Sequence, residues 1–337
     1  MDINAIAHSS SRVICLGEAL FDLLADERGK SVEEVTSWIS YPGGAPANVA
    51  CALAKLGISS AFIGCIGRDE PGKELLQILH DTGVNTAGVQ YCVDAPTRRV
   101  YVTKTNTGDR VFAGFGKRQP QEFADAFLKA ESLLPELFLE AEYLILGTLE
   151  LAYPDSRDAV FKALQLAEEY NLKVVLDVNW RPMFWQDERE ARPLIKKLWE
   201  YVDFIKLTKE EALWLFDTAD AGAISYRLGS VEGILVTNGD ADVSYCLNDN
   251  EGAIAPFAVT VEDTTGAGDA FLAGFVSQLC QHGINSLVDA EMAKQIVIYA
   301  CAVGSLTVMG GGAIASQPTA VEVARFLASK QANNRDS

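Results

Sequence analysis

The pattern of apolar residues predicts an α/β fold: a mainly parallel central sheet with helices on both faces, plus a small β-sheet beside it. Short β-branched and apolar runs recur along the chain, and most are hydrophobic at every position rather than at alternate ones. Such runs belong to strands buried on both faces, and the longer amphipathic stretches between them supply the covering helices. Hydrophobic residues make up 49% of the 337 residues and charged residues 22%, the balance of an ordinary globular chain with a large core.

RVICLG (12–17), SAFIGCIG (60–67), YLILGTL (143–149), KVVLDVN (173–179), FIKL (204–207) and GILVTNG (233–239) read as strands of the main sheet. SRDAVFKALQLAEEY (156–170) and ARPLIKKLWEYV (191–202) carry helical periodicity between them. YPGGAPANVACALAKLG (41–57) opens on two glycines and two prolines and continues as a helix of small residues. That start is either a turn with an N-cap or backbone kept bare for a ligand. SVEEVTSWISY (31–41) and TRRVYVTKTNTGDRVFAGF (97–115) break the rhythm, reading as strands joined by turns, with NTGDR as a hairpin signal. Lacking partner helices, they form a small sheet that is either a lid over a crevice or an ordinary peripheral sheet. No repeat or low-complexity linker interrupts the chain, so residues 12–328 read as one domain, with mobile tails at 1–11 and 329–337.

The formal net charge of −18 disfavours nucleic acid and anionic membrane as partners, both of which need neutralising Lys and Arg. No apolar run approaches the roughly 20 residues that cross a bilayer, and the first residues lack the basic and apolar regions of a signal peptide. The seven cysteines are scattered and never in a CxxC pair, which suits small buried hydrophobes in a reducing, cytoplasmic setting. His8, His80 and His282 have no ligand neighbours at helical spacing. Proton transfer therefore falls to a carboxylate.

VTVEDTTGAGDAFLAGFVSQL (259–279) runs strand, turn, helix. Gly266 and Gly268 remove side chains where a ligand approaches the backbone, and the helix start presents N–H groups to an anion such as phosphate. Phe271 stands where a dinucleotide fingerprint needs its third glycine, and no Lys-Ser or Lys-Thr follows as in a P-loop. Asp269 is either a helix cap or a carboxylate placed to take the proton of an attacking hydroxyl.

GGAPANVACALAKLG and DTTGAGDAFLAGF resemble the two signature segments of the ribokinase-like sugar kinases, the PfkB carbohydrate kinase family. The resemblance runs from CLGEALFDLL to GGGAIASQP, and PGGAPANVA, SSAFIGCIGRDEPGKEL and DVNWRPMFW look nearest to the fructokinase branch. It implies a ribokinase-like fold with a β-sheet lid, and an ATP-dependent sugar kinase, fructokinase first, with kinases of ribose or 2-keto-3-deoxygluconate as alternatives. A non-catalytic sugar- or protein-binding member is the reading from a different class.

The same resemblance assigns residues. Asp269 is the base, with the amides of Gly266, Ala267, Gly268 and Asp269 as anion hole. Asp22, Gly43, Gly44 and Asn48 hold the sugar, and Glu150 matches a sugar-binding glutamate of ribokinases. Thr208, Thr237 and Gly239 approach ATP, and Glu211 holds Mg²⁺ through water. Asp263, Thr265, Thr307, Gly310, Gly312 and Ser316 are the ligand set for K⁺. Asp242 replaces a family glycine, so the turn near 239 is expected to differ. Arg98, Arg99, Arg110, Lys117 and Arg118 of the lid are either a solvated edge or a site for an anionic substrate. A homodimer through the lid strands follows from family habit.

Overall fold

A computed structural model describes residues 10–106 and 110–333. In chain order the first part holds β1 (Val13–Leu16), β2 (Leu20–Arg28), β3 (Trp38–Gly43), α1 (Ala45–Lys55), β4 (Ser60–Gly67), α2 (Glu70–Thr82) and β5 (Val89–Cys92). The strands β6 (Arg99–Lys104), β7 (Arg110–Gly114) and β8 (Tyr143–Leu146) follow, then α3 (Pro154–Glu169), β9 (Lys173–Asp177) and α4 (Ala191–Lys196). Next come β10 (Phe204–Thr208), α5 (Lys209–Phe216), α6 (Ala221–Leu228), β11 (Gly233–Asn238), β12 (Ala241–Leu247) and β13 (Asn250–Ile254). Three helices close the fold: α7 (Ala267–His282), α8 (Ala290–Thr307) and α9 (Ala320–Asn333).

Nine strands form the main sheet in the order β13-β12-β11-β10-β9-β8-β1-β4-β5. The seven from β11 to β5 run parallel, β12 pairs antiparallel with β11, and β13 antiparallel with β12. Both faces are covered, as the continuous apolar runs require. Val13 and Cys15 of β1 pack into one core with α1, α7 and α8, while Ile14 and Leu16 pack into the other with α3 and α4. β8 repeats this, with Tyr143 and Ile145 on the first side and Leu144 and Leu146 on the second. Alternation thus survives as a choice between two buried faces.

The second sheet has the order β3-β2-β6-β7. Its β6 and β7 fall inside the expected 97–115 segment, while residues 107–109 of the NTGDR turn lie outside the described residues. The 31–41 expectation is half right: only Trp38 onward is strand, and the sheet's central strand is β2, which had not been expected. β2 was hidden because its apolar residues continue the run of β1 with only Gly17–Ala19 between. The helix expected over 191–202 ends at Lys196 and tightens into a 3₁₀ turn, Lys197–Glu200. At the C-terminus α9 continues to Asn333, so residues 329–333 are helix rather than tail. Residues 1–9 and 334–337 lie outside the described residues.

Candidate active site

The carboxyl ends of β1, β9, β10 and β11, the start of α7 and one face of the small sheet enclose a cavity of about 1170 Å³. It lies beside β1, where the strand order reverses, with β4 and β5 to one side and β8 to β11 to the other. Open α/β sheets bind their ligands at such a switch point.

α7 is apolar all round: every residue from Ala270 to Cys280 is buried. A helix of that composition is held on all sides, so its first turn is a fixed platform. Gly266 is its N-cap at φ 79°, and a Cβ there would stand 2.6 Å from Ala313 Cβ. The first-turn amides have no intrahelical acceptor by construction. Ala267 is turned aside, its N–H donating to Thr264 O at 3.3 Å, which leaves Gly266, Gly268 and Asp269 as the better anion donors. Asp269 is half-buried on the cavity wall and accepts a 2.7 Å hydrogen bond from Asn48 Nδ2. Burial, then the neighbouring Asp177 carboxylate, raise its pKa to about 6 against the opposing pull of Lys206, Asn48 and Arg181.

Asn48 comes from α1, which explains the glycines before it. Gly44 caps α1 at φ 102°, and a Cβ there would lie 2.4 Å from the Glu18 carbonyl. Gly43 is packed more loosely, its Cβ position 3.3 Å from Asp22 Oδ2. Asp22, on β2, lines the cavity near Asn48; burial raises it to about 6, opposed by Arg110 and Arg181. Asp22, Gly44 and Asn48 therefore line the cavity together with Asp269, and Gly43 lies beside Asp22.

Thr208, Thr237 and Gly239 line the same cavity from the ends of β10 and β11. Gly239 and Asp240 form a two-residue turn between β11 and β12, with Gly239 at φ 59°, and Asp242 falls on β12 instead of in the turn. Glu211 does not face the cavity. Its two oxygens accept the amides of Trp180 and Thr208, each at 2.7 Å, so the carboxylate closes the capping box of α5 and pins the ends of β9 and β10. The indole of Trp180 stacks on that of Trp214, centroids 4.0 Å apart and planes 13° from parallel.

Two site residues carried no sequence-derived role. Lys206 is 4% exposed, lines the cavity and reaches both oxygens of Asp177 at 3.0 and 2.9 Å. A Cβ on Gly268 would stand 2.9 Å from Lys206 Nζ, so the ammonium lies against the anion-hole turn. A lysine inside the otherwise apolar run FIKL was the available signal, since a charge buried in a parallel sheet demands a partner. Arg181, in DVNWRP, also lines the cavity and lowers the pKa of both Asp22 and Asp269.

Glu150 is displaced from its expected place. It is buried behind Gly17, off the cavity wall, and neither carboxylate oxygen has a hydrogen-bond partner among the described residues. Burial, then the charge of Glu18, push its pKa well above the ordinary value. Glu18 is on the wall, accepts the Ala45 amide at 2.8 Å and is itself raised by burial to about 7. Arg98 is also withdrawn from any ligand. It is bidentate to Asp125 at 2.6 and 2.8 Å, donates to Tyr153 Oη at 3.0 Å, and lies among the rings of Phe115, Phe123, Tyr153 and Phe184. Arg99, Lys117 and Arg118 are exposed and off the cavity.

The residues expected to ligate a monovalent cation gather beside α7, where the Asp263 carboxylate and several neighbouring oxygens already accept hydrogen bonds. Asp263 Oδ1 accepts from the Thr265 amide at 2.9 Å and its hydroxyl at 2.7 Å. Asp263 Oδ2 accepts from the Gly312 amide at 3.1 Å and from Arg110 Nη2 at 2.9 Å. The Ser316 hydroxyl donates to Gly312 O at 2.5 Å, and the Gly310 amide lies 3.5 Å from Thr307 O. Burial works to raise the Asp263 carboxyl, and Thr265, Gly312 and Arg110 together hold it below its ordinary value. The set as arranged does not fit a potassium ion, because the carboxylate that would attract it carries a guanidinium.

With this geometry in view, the comparisons with known proteins agree. The pattern of the pfkB family carbohydrate kinases matches residues 10–320. Probable fructokinase-6, chloroplastic, of Arabidopsis thaliana is 37% identical over 314 residues, 92% of this chain and 80% of that one. Fructokinase-1 of Oryza sativa subsp. japonica is 34% identical over 327 residues, 96% of this chain and 100% of that one. Among solved structures, fructokinase with bound ATP from Xylella fastidiosa superposes with a TM-score of 0.85 at 29% identity, covering 95% of this chain and 98% of that one. A cavity at the switch point, a glycine-capped core helix carrying Asp269, a small sheet across the opening and a match spanning nearly the whole chain converge on one statement: this chain belongs to the pfkB family of carbohydrate kinases.

Proposed function

We propose that residues 12–328 form one catalytic unit, an ATP-dependent fructokinase that makes fructose 6-phosphate and ADP. The observation that carries this reading is Asp269. Its carboxylate stands on the first turn of α7 beside the anion-hole amides, in a cavity also lined by Asp22, Asn48, Thr208, Thr237 and Gly239. Asp22 and Asn48 suit a neutral, hydroxyl-rich ligand. Asp269, raised toward pH 6 yet ionised at neutral pH, takes the proton of the attacking sugar hydroxyl. The amides of Gly266, Gly268 and Asp269, with Lys206 beneath them, receive the charge of the transferring phosphoryl group.

Mg²⁺ enters with the nucleotide in this reading. No group of three or more His, Cys, Asp or Glu side chains is placed to hold a metal among the described residues, and a cation that keeps its water suits phosphates plus few protein ligands. When bound, such an ion would supply positive charge to the phosphate oxygens. The alternatives lose support from the site. Glu150, the argument for ribose, is off the wall, and Arg98, an argument for a keto acid, is enclosed by rings. Asp269, Gly266 and Gly268 are all in place, which disfavours a non-catalytic binding protein.

No helix among the described residues is long and apolar enough to cross a membrane. All seven cysteines are free, which suits a reducing compartment, and we place the protein in the cytoplasm, although one relative is named chloroplastic.

The deciding experiment is ADP release with Mg-ATP across fructose, ribose, glucose, tagatose, adenosine and 2-keto-3-deoxygluconate. Preference for fructose is the expected result. Preference for ribose or the keto acid overturns the substrate, and silence across the panel overturns the kinase.

A further inference from the structure

We infer that Arg110 is a positioning residue for phosphoryl transfer, the counter-charge that the lid sheet supplies to Asp263 so that the turn into α7 is set when the lid is seated. Arg110 begins β7, an edge strand of the small sheet, and its guanidinium reaches the turn that leads into α7. One nitrogen lies 2.9 Å from Asp263 Oδ2 and another donates to the Thr265 hydroxyl. Asp263 is 8% exposed while the Arg110 side chain stays open to solvent, so the pair has one buried and one exposed partner. A buried carboxylate needs a compensating charge, and removing the guanidinium leaves it uncompensated.

What Asp263 holds gives the contact its reach. The carboxylate ties three segments together: the Thr265 turn, the Gly312 loop and β7. The amides of Glu262 and Asp263 are anchored to Val308 O, just past the end of α8. One residue beyond Thr265, Gly266 begins the anion hole. The lid makes a second contact on the Gly312 loop, because a Cβ on Gly312 would stand 2.8 Å from the Tyr41 ring of β3. Opposite edges of the small sheet thus rest on two segments that Asp263 ties together. Where a bound monovalent cation would neutralise Asp263 from the rear, this chain neutralises it from the lid.

The activity part of the test rests on the sugar-kinase reading; the melting part needs no sugar and stands apart from it. Wild type, Arg110→Met and Arg110→Lys are compared in KCl and in tetramethylammonium chloride at equal ionic strength, reading kcat, KM and melting temperature without substrates. The expected result is wild-type kcat and melting temperature that do not distinguish the two salts. Arg110→Met is expected to lose about tenfold or more in kcat in tetramethylammonium, the scale of an unpaired buried charge, and to regain part of it in KCl. Its melting temperature should rise in KCl by a few degrees, and Arg110→Lys should remain indifferent to the salt. The inference is overturned if wild type needs potassium as much as Arg110→Met does, or if Arg110→Met matches wild type in both salts.

Discussion

Asp269 sits where opposing influences meet: burial and Asp177 push its proton affinity up, while Lys206, Asn48 and Arg181 pull it down. The net value of about 6 makes it a base that is ionised at neutral pH yet still basic enough to accept a proton. Asp269→Asn is therefore expected to lower kcat by about two to four orders of magnitude with sugar affinity largely kept. In the unmodified enzyme kcat/KM should fall below pH 6, because acid protonates Asp269 and the equally raised Asp22. Turnover of the variant near that of wild type, or a flat profile down to pH 5, would remove Asp269 from the mechanism. GAGD made this residue legible in the sequence. Lys206 and Asp177 were not legible as site residues, because a pair made across neighbouring strands has no sequence spacing to announce it. Glu150 shows the converse, since a strand-end position fixes where a backbone goes but not which side of Gly17 a carboxylate falls.

Helix starts are the elements on which this site depends. Gly266 combines φ 79° with a Cβ position 2.6 Å from Ala313 Cβ, so Gly266→Ala meets both strain and a clash. The expected cost is about 1–3 kcal/mol of stability from the backbone alone, with a larger fall in kcat as the first turn of α7 shifts. Urea unfolding alongside turnover checks this, and an unperturbed kcat would show that the turn has slack. At α1 the relevant pair is Glu18 and Glu150. Below about pH 4.5 each carboxyl is protonated folded or unfolded, and burial costs nothing in charge. Above about 7 Glu18 is ionised in both states, and the folded one bears the desolvation. Stability contributed by this pair therefore falls as pH rises through that window, by up to roughly 3 kcal/mol for Glu18. Glu18→Gln, whose amide oxygen still accepts from Ala45, should flatten the slope of unfolding free energy between pH 5 and 8; parallel slopes would contradict it. Such elements were readable as glycine-rich helix starts. β2 was not, because nothing in its composition says that it leaves the main sheet after Gly17 to build the lid.

At the scale of the whole molecule, the continuous apolar runs carried the architecture, since strands covered on both faces leave that signature and no other. Chain order then put the switch point at β1 and the site above it. What the runs could not carry was the reach of the lid, which depends on a few long side chains. The small sheet also leaves Ile39 and Val111 exposed on β3 and β7, at its two edges. A homodimer through these strands is expected at micromolar concentration, and light scattering that gives the mass of a single chain would exclude it. The stacked indoles of Trp180 and Trp214 have a further consequence. Their transition dipoles couple at 4.0 Å, and Trp180 lies between Asn179 and Arg181, both on the cavity wall. The pair is therefore expected to act as an unlabelled optical gauge of occupancy: a ligand that moves Arg181 should tilt one indole against the other, and near-ultraviolet circular dichroism unchanged on adding ligand would exclude it.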